Sequence, residues 1–152
     1  MIKIASFSNY NETDVKKLVK KLTKHFYNGL IIYFEGEVGS GKTFLIDKLI
    51  NELDEKIHAS SATFTIVETK KVNNYTLNHI DCYRLEDNSE NKNLLMESLE
   101  VDLVFIEWAS KLNFLQDIPH LLIKIQNSDN ENRNYLIYTN DEEINQKFKD
   151  IK

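Results

Sequence analysis

The chain is 152 residues long, enough for one domain with a sizeable core and little room for a second. Its composition, 41% hydrophobic and 28% charged, excludes a disordered chain, and its net charge of -5 excludes a polycation built wholly for nucleic acid. The longest apolar run, Leu30-Ile31-Ile32-Tyr33-Phe34, is far short of the roughly 20 residues of a membrane span, and no apolar leader opens the chain. A single cysteine, Cys82, allows no internal disulfide partner and no multi-cysteine metal site, a usage that suits the reducing cytoplasm.

In chain order, Met1 to Ala5 alternates weakly and predicts a short strand. Asn11 or Thr13 then caps a helix with apolar positions at Val15, Leu18, Val19, Leu22 and Phe26. Asn28-Gly29 ends it, and Leu30 to Glu35 predicts a buried strand. Thr43 to Leu53 reads as a helix apolar on most sides. Phe64 to Lys71 and Tyr75 to Asp81 predict a hairpin turning at Asn73-Asn74. A polar helix follows through Leu94-Leu95-Met96. Strands are predicted at Asp102 to Glu107, Leu121 to Gln126 and Tyr135 to Thr139, before a short charged helix. No linker or repeat divides the chain, so residues 1–152 read as one α/β domain.

Two biases set the weight of single residues. Lysine outnumbers arginine 17 to 2 and asparagine occurs 17 times, so each lysine or asparagine says little while Arg84 and Arg133 say more. By the same argument the lysines of the first helix (Lys16, Lys17, Lys20, Lys21, Lys24) read as a solvated face, the alternative being an electrostatic contact with tRNA or an acidic partner patch. The four histidines are scattered without metal-ligand spacing, and His79 is assigned no catalytic role.

Glycine occurs four times, and three of the four lie in Gly36-Glu37-Val38-Gly39-Ser40-Gly41-Lys42-Thr43. That segment matches G-x-x-x-x-G-K-[ST] at every fixed position, after a predicted strand and before a predicted helix. A loop that turns successive N–H groups toward phosphates disfavours side chains, hence the glycines. The helix start adds free N–H groups, Lys42 reaches the β- and γ-phosphates, and the Thr43 hydroxyl holds Mg²⁺. The fold class expected is therefore a P-loop NTPase with a mixed, largely parallel central sheet flanked by helices. No glycine follows Gly41, which excludes the D-x-x-G switch of GTPases and the glycine-rich signature of transporter ATPases, and leaves ATP as the nucleotide.

Such a site needs carboxylates at strand ends beside the loop. Asn78-His79-Ile80-Asp81 and Leu103-Val104-Phe105-Ile106-Glu107 supply two, Glu107 after four apolar residues.

The motifs Asp81-Cys82-Tyr83-Arg84-Leu85, preceded by His79, then Glu107-Trp108, and Ser61-Ala62-Thr63-Phe64-Thr65 ahead of both, resemble those of the TsaE (YjeE) family of bacterial ATPases. With the loop, they cover roughly residues 8 to 139. The resemblance implies a role in making N6-threonylcarbamoyladenosine in tRNA, with a TsaB–TsaD pair as partner, tRNA engaged indirectly and no membrane. It implies that Thr63 is a switch-like threonine at Mg²⁺ or the γ-phosphate. Asp81 and Glu107 then share two roles, holding the metal and orienting the attacking water. Trp108 is expected near the nucleotide or the partner, and Arg84 near phosphates or partner. Ala62 stands where the family carries proline. Phe44 stands where it often carries a second hydroxyl, so one hydrogen bond to the α-phosphate is lost. The alternatives are a stand-alone small-molecule or nucleotide kinase and a module that only binds nucleotide.

Overall fold

The computed structural model describes residues 1–57 and 66–151. The elements are β1 (Ile2–Tyr10), α1 (Glu12–Thr23), β2 (Leu30–Glu35), α2 (Lys42–Leu53), β3 (Val67–Val72), β4 (Tyr75–Asp81), α3 (Ser89–Met96), β5 (Leu103–Glu107), β6 (Leu121–Asn127), β7 (Arg133–Thr139) and α4 (Glu142–Phe148). The seven strands of the described residues join one sheet in the order β1-β7-β6-β2-β5-β4-β3.

The sheet is mixed. Its parallel pairings join the four central strands, β6 to β2, β2 to β5 and β5 to β4. The outer pairings, β1 with β7, β7 with β6 and β3 with β4, are antiparallel. Parallel strands are covered on both faces, and the two at the centre are correspondingly apolar from Leu30 to Phe34 in β2 and from Leu103 to Ile106 in β5. In β2, Ile32 and Phe34 face a core shared with α1, α2 and α4, while Ile31 and Tyr33 face a second core with Leu95 of α3 and the 3-10 turns at Ala109–Lys111 and Asn113–Asp117.

Local signals account for most boundaries. Asn11, not Thr13, caps α1: its side chain accepts from the Asp14 N–H at 2.9 Å, and Asp14 accepts from the Asn11 N–H at 3.0 Å. The hairpin turns at Asn73, which takes a left-handed φ of 54°. Phe64 and Thr65, expected at the start of β3, lie outside the described residues. One strand is corrected. β1 extends to Tyr10 and not merely to Ala5, because register shifts at Lys3/Ala5 and Phe7/Tyr10 break the two-residue alternation by which a strand is read.

Candidate nucleotide-phosphate site

Residues 36–41 link the carboxyl end of β2 to α2. Gly36 has no room for a side chain: a Cβ there would strike the Ser40 hydroxyl and come within 2.8 Å of the Ile125 carbonyl oxygen. Gly41, immediately before α2, sits at φ +99°, where a side chain would be strained. With no side-chain cap, the first N–H groups of α2 lack a capping oxygen, the arrangement that receives an anion.

Lys42 is 7% exposed. Its ammonium group donates to the Gly36 carbonyl and, at 3.3 Å, to that of Glu37, and lies 4.6 Å from the Trp108 ring centroid. Burial lowers its pKa, and the charges of Glu107 and then Asp81 oppose that shift. Glu107 ends β5 in register with Asp81 of β4 and Phe34 of β2, which brings both carboxylates to the loop's end of the sheet. The two are not equivalent. Glu107 is buried, and its Oε2 lies 2.8 Å from His79 Nε2. Asp81 is half-buried, and its Oδ1 accepts from the Tyr83 N–H at 2.9 Å, closing the turn after β4.

A cleft of about 350 Å³ opens over the loop, lined by Glu37, Val38, Gly39, Gly41, Lys42, Thr43, Glu107 and Trp108. Trp108 holds a left-handed conformation, φ 58° and ψ 35°, and packs on Tyr83 at 4.9 Å between ring centroids. Thr43 is exposed at the start of α2, and Ser40 is buried. Phe44 lines a separate groove with Tyr10, Asn11, Gly41, Arg133 and Tyr135. Arg84 is exposed and lines neither space. Thr63, with the rest of 61–65, lies outside the described residues.

Two residues given no role from sequence sit in this arrangement. His79 contacts Glu107, and its signal was there: two residues before Asp81 on one strand, it shares that residue's face. Arg133 donates from Nε to the Ser40 carbonyl at 2.8 Å and from Nη1 to the carbonyls of Glu131 at 2.6 Å and Asn132 at 3.1 Å. It ties the glycine-rich loop to the β6–β7 turn, which only the tertiary fold brings near.

Fold and loop together place the chain among the P-loop nucleotide-binding proteins. The sequence model of the family described as threonylcarbamoyl adenosine biosynthesis protein TsaE matches residues 9–135. The chain belongs to the TsaE family. Among its relatives, the "tRNA threonylcarbamoyladenosine biosynthesis protein TsaE" of Rickettsia felis is 33% identical over 135 residues, covering 88% of this chain and 79% of the relative. The protein of the same name from Haemophilus influenzae is 27% identical over 117 residues, covering 75% of this chain and 74% of the relative. The crystal structure of Bacillus subtilis YdiB superposes with a TM-score of 0.76 at 21% identity, over 99% of this chain and 95% of that one, a likeness of fold.

Proposed function

We propose that the chain is the Mg²⁺-dependent ATPase of N6-threonylcarbamoyladenosine formation in tRNA, working in the cytoplasm with a TsaB–TsaD pair that carries out the transfer. Residues 1–152 act as one unit, which meets tRNA only through that pair. The observation that carries this reading is the convergence of Lys42, the uncapped start of α2 and the buried Glu107 on one cleft. No described helix is long and apolar enough to cross a membrane.

In this reading the N–H groups of residues 36–41 and of the first turn of α2 hold the β-phosphate. Lys42 leaves the Gly36 and Glu37 carbonyls to meet the β- and γ-phosphates. The groove beside Phe44 and Arg133 takes the nucleoside. Glu107, buried on the cleft wall, accepts a proton-side contact from the attacking water and orients it. Asp81, nearer solvent, would help hold Mg²⁺, and Thr43 and Thr63 would offer it hydroxyl oxygens.

The residues present fit Mg²⁺. It takes hard oxygen donors and keeps several waters, so it needs only one or two protein oxygens beside phosphate. When bound, it neutralises charge developing on the phosphate oxygens. A stand-alone kinase would need arginines over the transferred phosphate. Arg84 is exposed beyond β4, and Arg133 is engaged with loop carbonyls.

The test is ATP hydrolysis by the purified chain, alone and with a TsaB–TsaD pair plus tRNA, with Lys42→Ala as control. Slow turnover that rises with the pair and vanishes in the variant is expected. Fast turnover indifferent to the pair would overturn the reading.

A further inference from the structure

The contact between His79 and Glu107 is buried on both sides, with the two residues 3% and 8% exposed. They stand on adjacent parallel strands, where His79 pairs in register with Phe105, two residues before Glu107. Both side chains share the sheet face of Leu77 and Phe105, which lie on the same alternating positions and pack in the core with α1, α2 and α4. A carboxylate only accepts hydrogen bonds, so the proton of the 2.8 Å contact belongs to His79 Nε2. The other ring nitrogen, Nδ1, is buried with no partner among the described residues. An apolar side chain would fill this interior position without stranding a polar atom. The imidazole is therefore explained by what its other nitrogen does, and that nitrogen touches Glu107.

From this geometry we infer that His79 is a positioning residue for ATP hydrolysis. A glutamate at a strand end has three rotatable bonds, and a carboxylate that swings cannot hold a water in line with a phosphate. The His79 N–H pins Oε2 and leaves Oε1 of Glu107 as the oxygen without a hydrogen-bond partner among the described residues, on the wall of the cleft that Lys42 and Thr43 also line. Outer partners of this kind orient the groups that act directly, and their loss typically costs about 10–100-fold in activity. The inference rests on the ATPase reading and adds to it a residue outside the cleft.

The experiment compares wild type, His79→Leu, His79→Gln, Glu107→Gln and the double variant His79→Leu/Glu107→Gln. Each is measured for nucleotide affinity, single-turnover hydrolysis and melting temperature. His79→Leu is expected to lower the hydrolysis rate about 10–100-fold with nucleotide affinity nearly unchanged. His79→Gln, whose amide N–H reaches about as far as Nε2, is expected to restore much of the rate. Glu107→Gln is expected to cost far less in the His79→Leu background than alone, because the two act as a unit. Full hydrolysis by His79→Leu would overturn the positioning role while leaving the ATPase reading intact. So would losses in Leu and Gln variants that match each other and follow the melting temperature. A wild-type chain that binds ATP without hydrolysing it, with or without the partner pair, would overturn the ATPase reading and this role with it.

Discussion

At Gly36 the backbone runs so close to Ser40 and to the β6 carbonyl of Ile125 that one methyl group has no place. Gly36→Ala is expected to cost about 1–3 kcal/mol, the range for overpacking, and to weaken nucleotide binding along with the urea midpoint. An unchanged midpoint would show that the loop yields. Cys82 makes a different point. Burial first, and the neighbouring Asp81 charge second, push its thiol up to about 12. An unfolded cysteine titrates near 8.5, so between these values the folded chain keeps a proton that the unfolded chain has lost. Stability therefore falls as pH rises through this window, and none of this contribution is lost below it. The folded thiol should resist iodoacetamide at pH 8 and react in urea, read by mass spectrometry; equal labelling in both would contradict the burial. At this scale the G-x-x-x-x-G-K-[ST] spacing made the loop legible, because each fixed residue answers a local backbone demand. For His79 the spacing showed its face but not its partner 28 residues on, and Arg133 was not legible at all, because its contact is with a loop residue 93 positions away in sequence.

Among the elements, α1 separates two candidate caps that sequence spacing leaves open. The reciprocal bonds between Asn11 and Asp14 predict that Asn11→Ala costs about 1 kcal/mol, while Thr13→Ala, exposed and outside the cap, stays within about 0.5 kcal/mol. Urea melts of the two variants decide it, and equal losses would mean that the cap is not the source. The β6–β7 turn carries two consecutive non-glycine residues at positive φ, Asn130 and Glu131, and presents the carbonyls that Arg133 holds together with that of Ser40. Arg133→Lys keeps the charge and loses the guanidinium fork. It is expected to weaken ATP binding about tenfold, the effect of one charged hydrogen bond of roughly 1.5 kcal/mol, without abolishing the fold. Calorimetric titration checks this, and wild-type affinity in Arg133→Lys would show that the brace is dispensable.

For the molecule as a whole, the loop, the central strands and Trp108 form one contact system. Nucleotide that draws Lys42 toward phosphate removes a cation from the Trp108 ring, so emission from this only tryptophan should change on adding Mg²⁺-ATP. Because a ligand that binds only the folded state stabilises it by mass action, the same titration at 100 times Kd should add about 2.7 kcal/mol. A melting curve that shifts without any change in emission would place the nucleotide away from Trp108.

Spacing within a few residues was enough to read the glycine-rich loop between β2 and α2, the apolar strands β2 and β5, the pair of strand-end acids and the stripe of α1 from Val15 to Leu22, although α1 ends at Thr23, short of the Phe26 that the spacing included. The motifs carried the family. Packing decided the rest: that β1 runs on to Tyr10 as an edge through register shifts, that β1, β7 and β6 pair antiparallel beside the parallel centre, and that Asn11 rather than Thr13 caps α1. It also decided that Glu107 is buried against His79 while Asp81 closes a turn, and that Arg133 reaches back to the loop. The physical reason is common to all of these. Local pattern reports the backbone state each residue prefers, whereas partnership depends on which strands lie side by side, and that is settled by packing the whole sheet between its two cores.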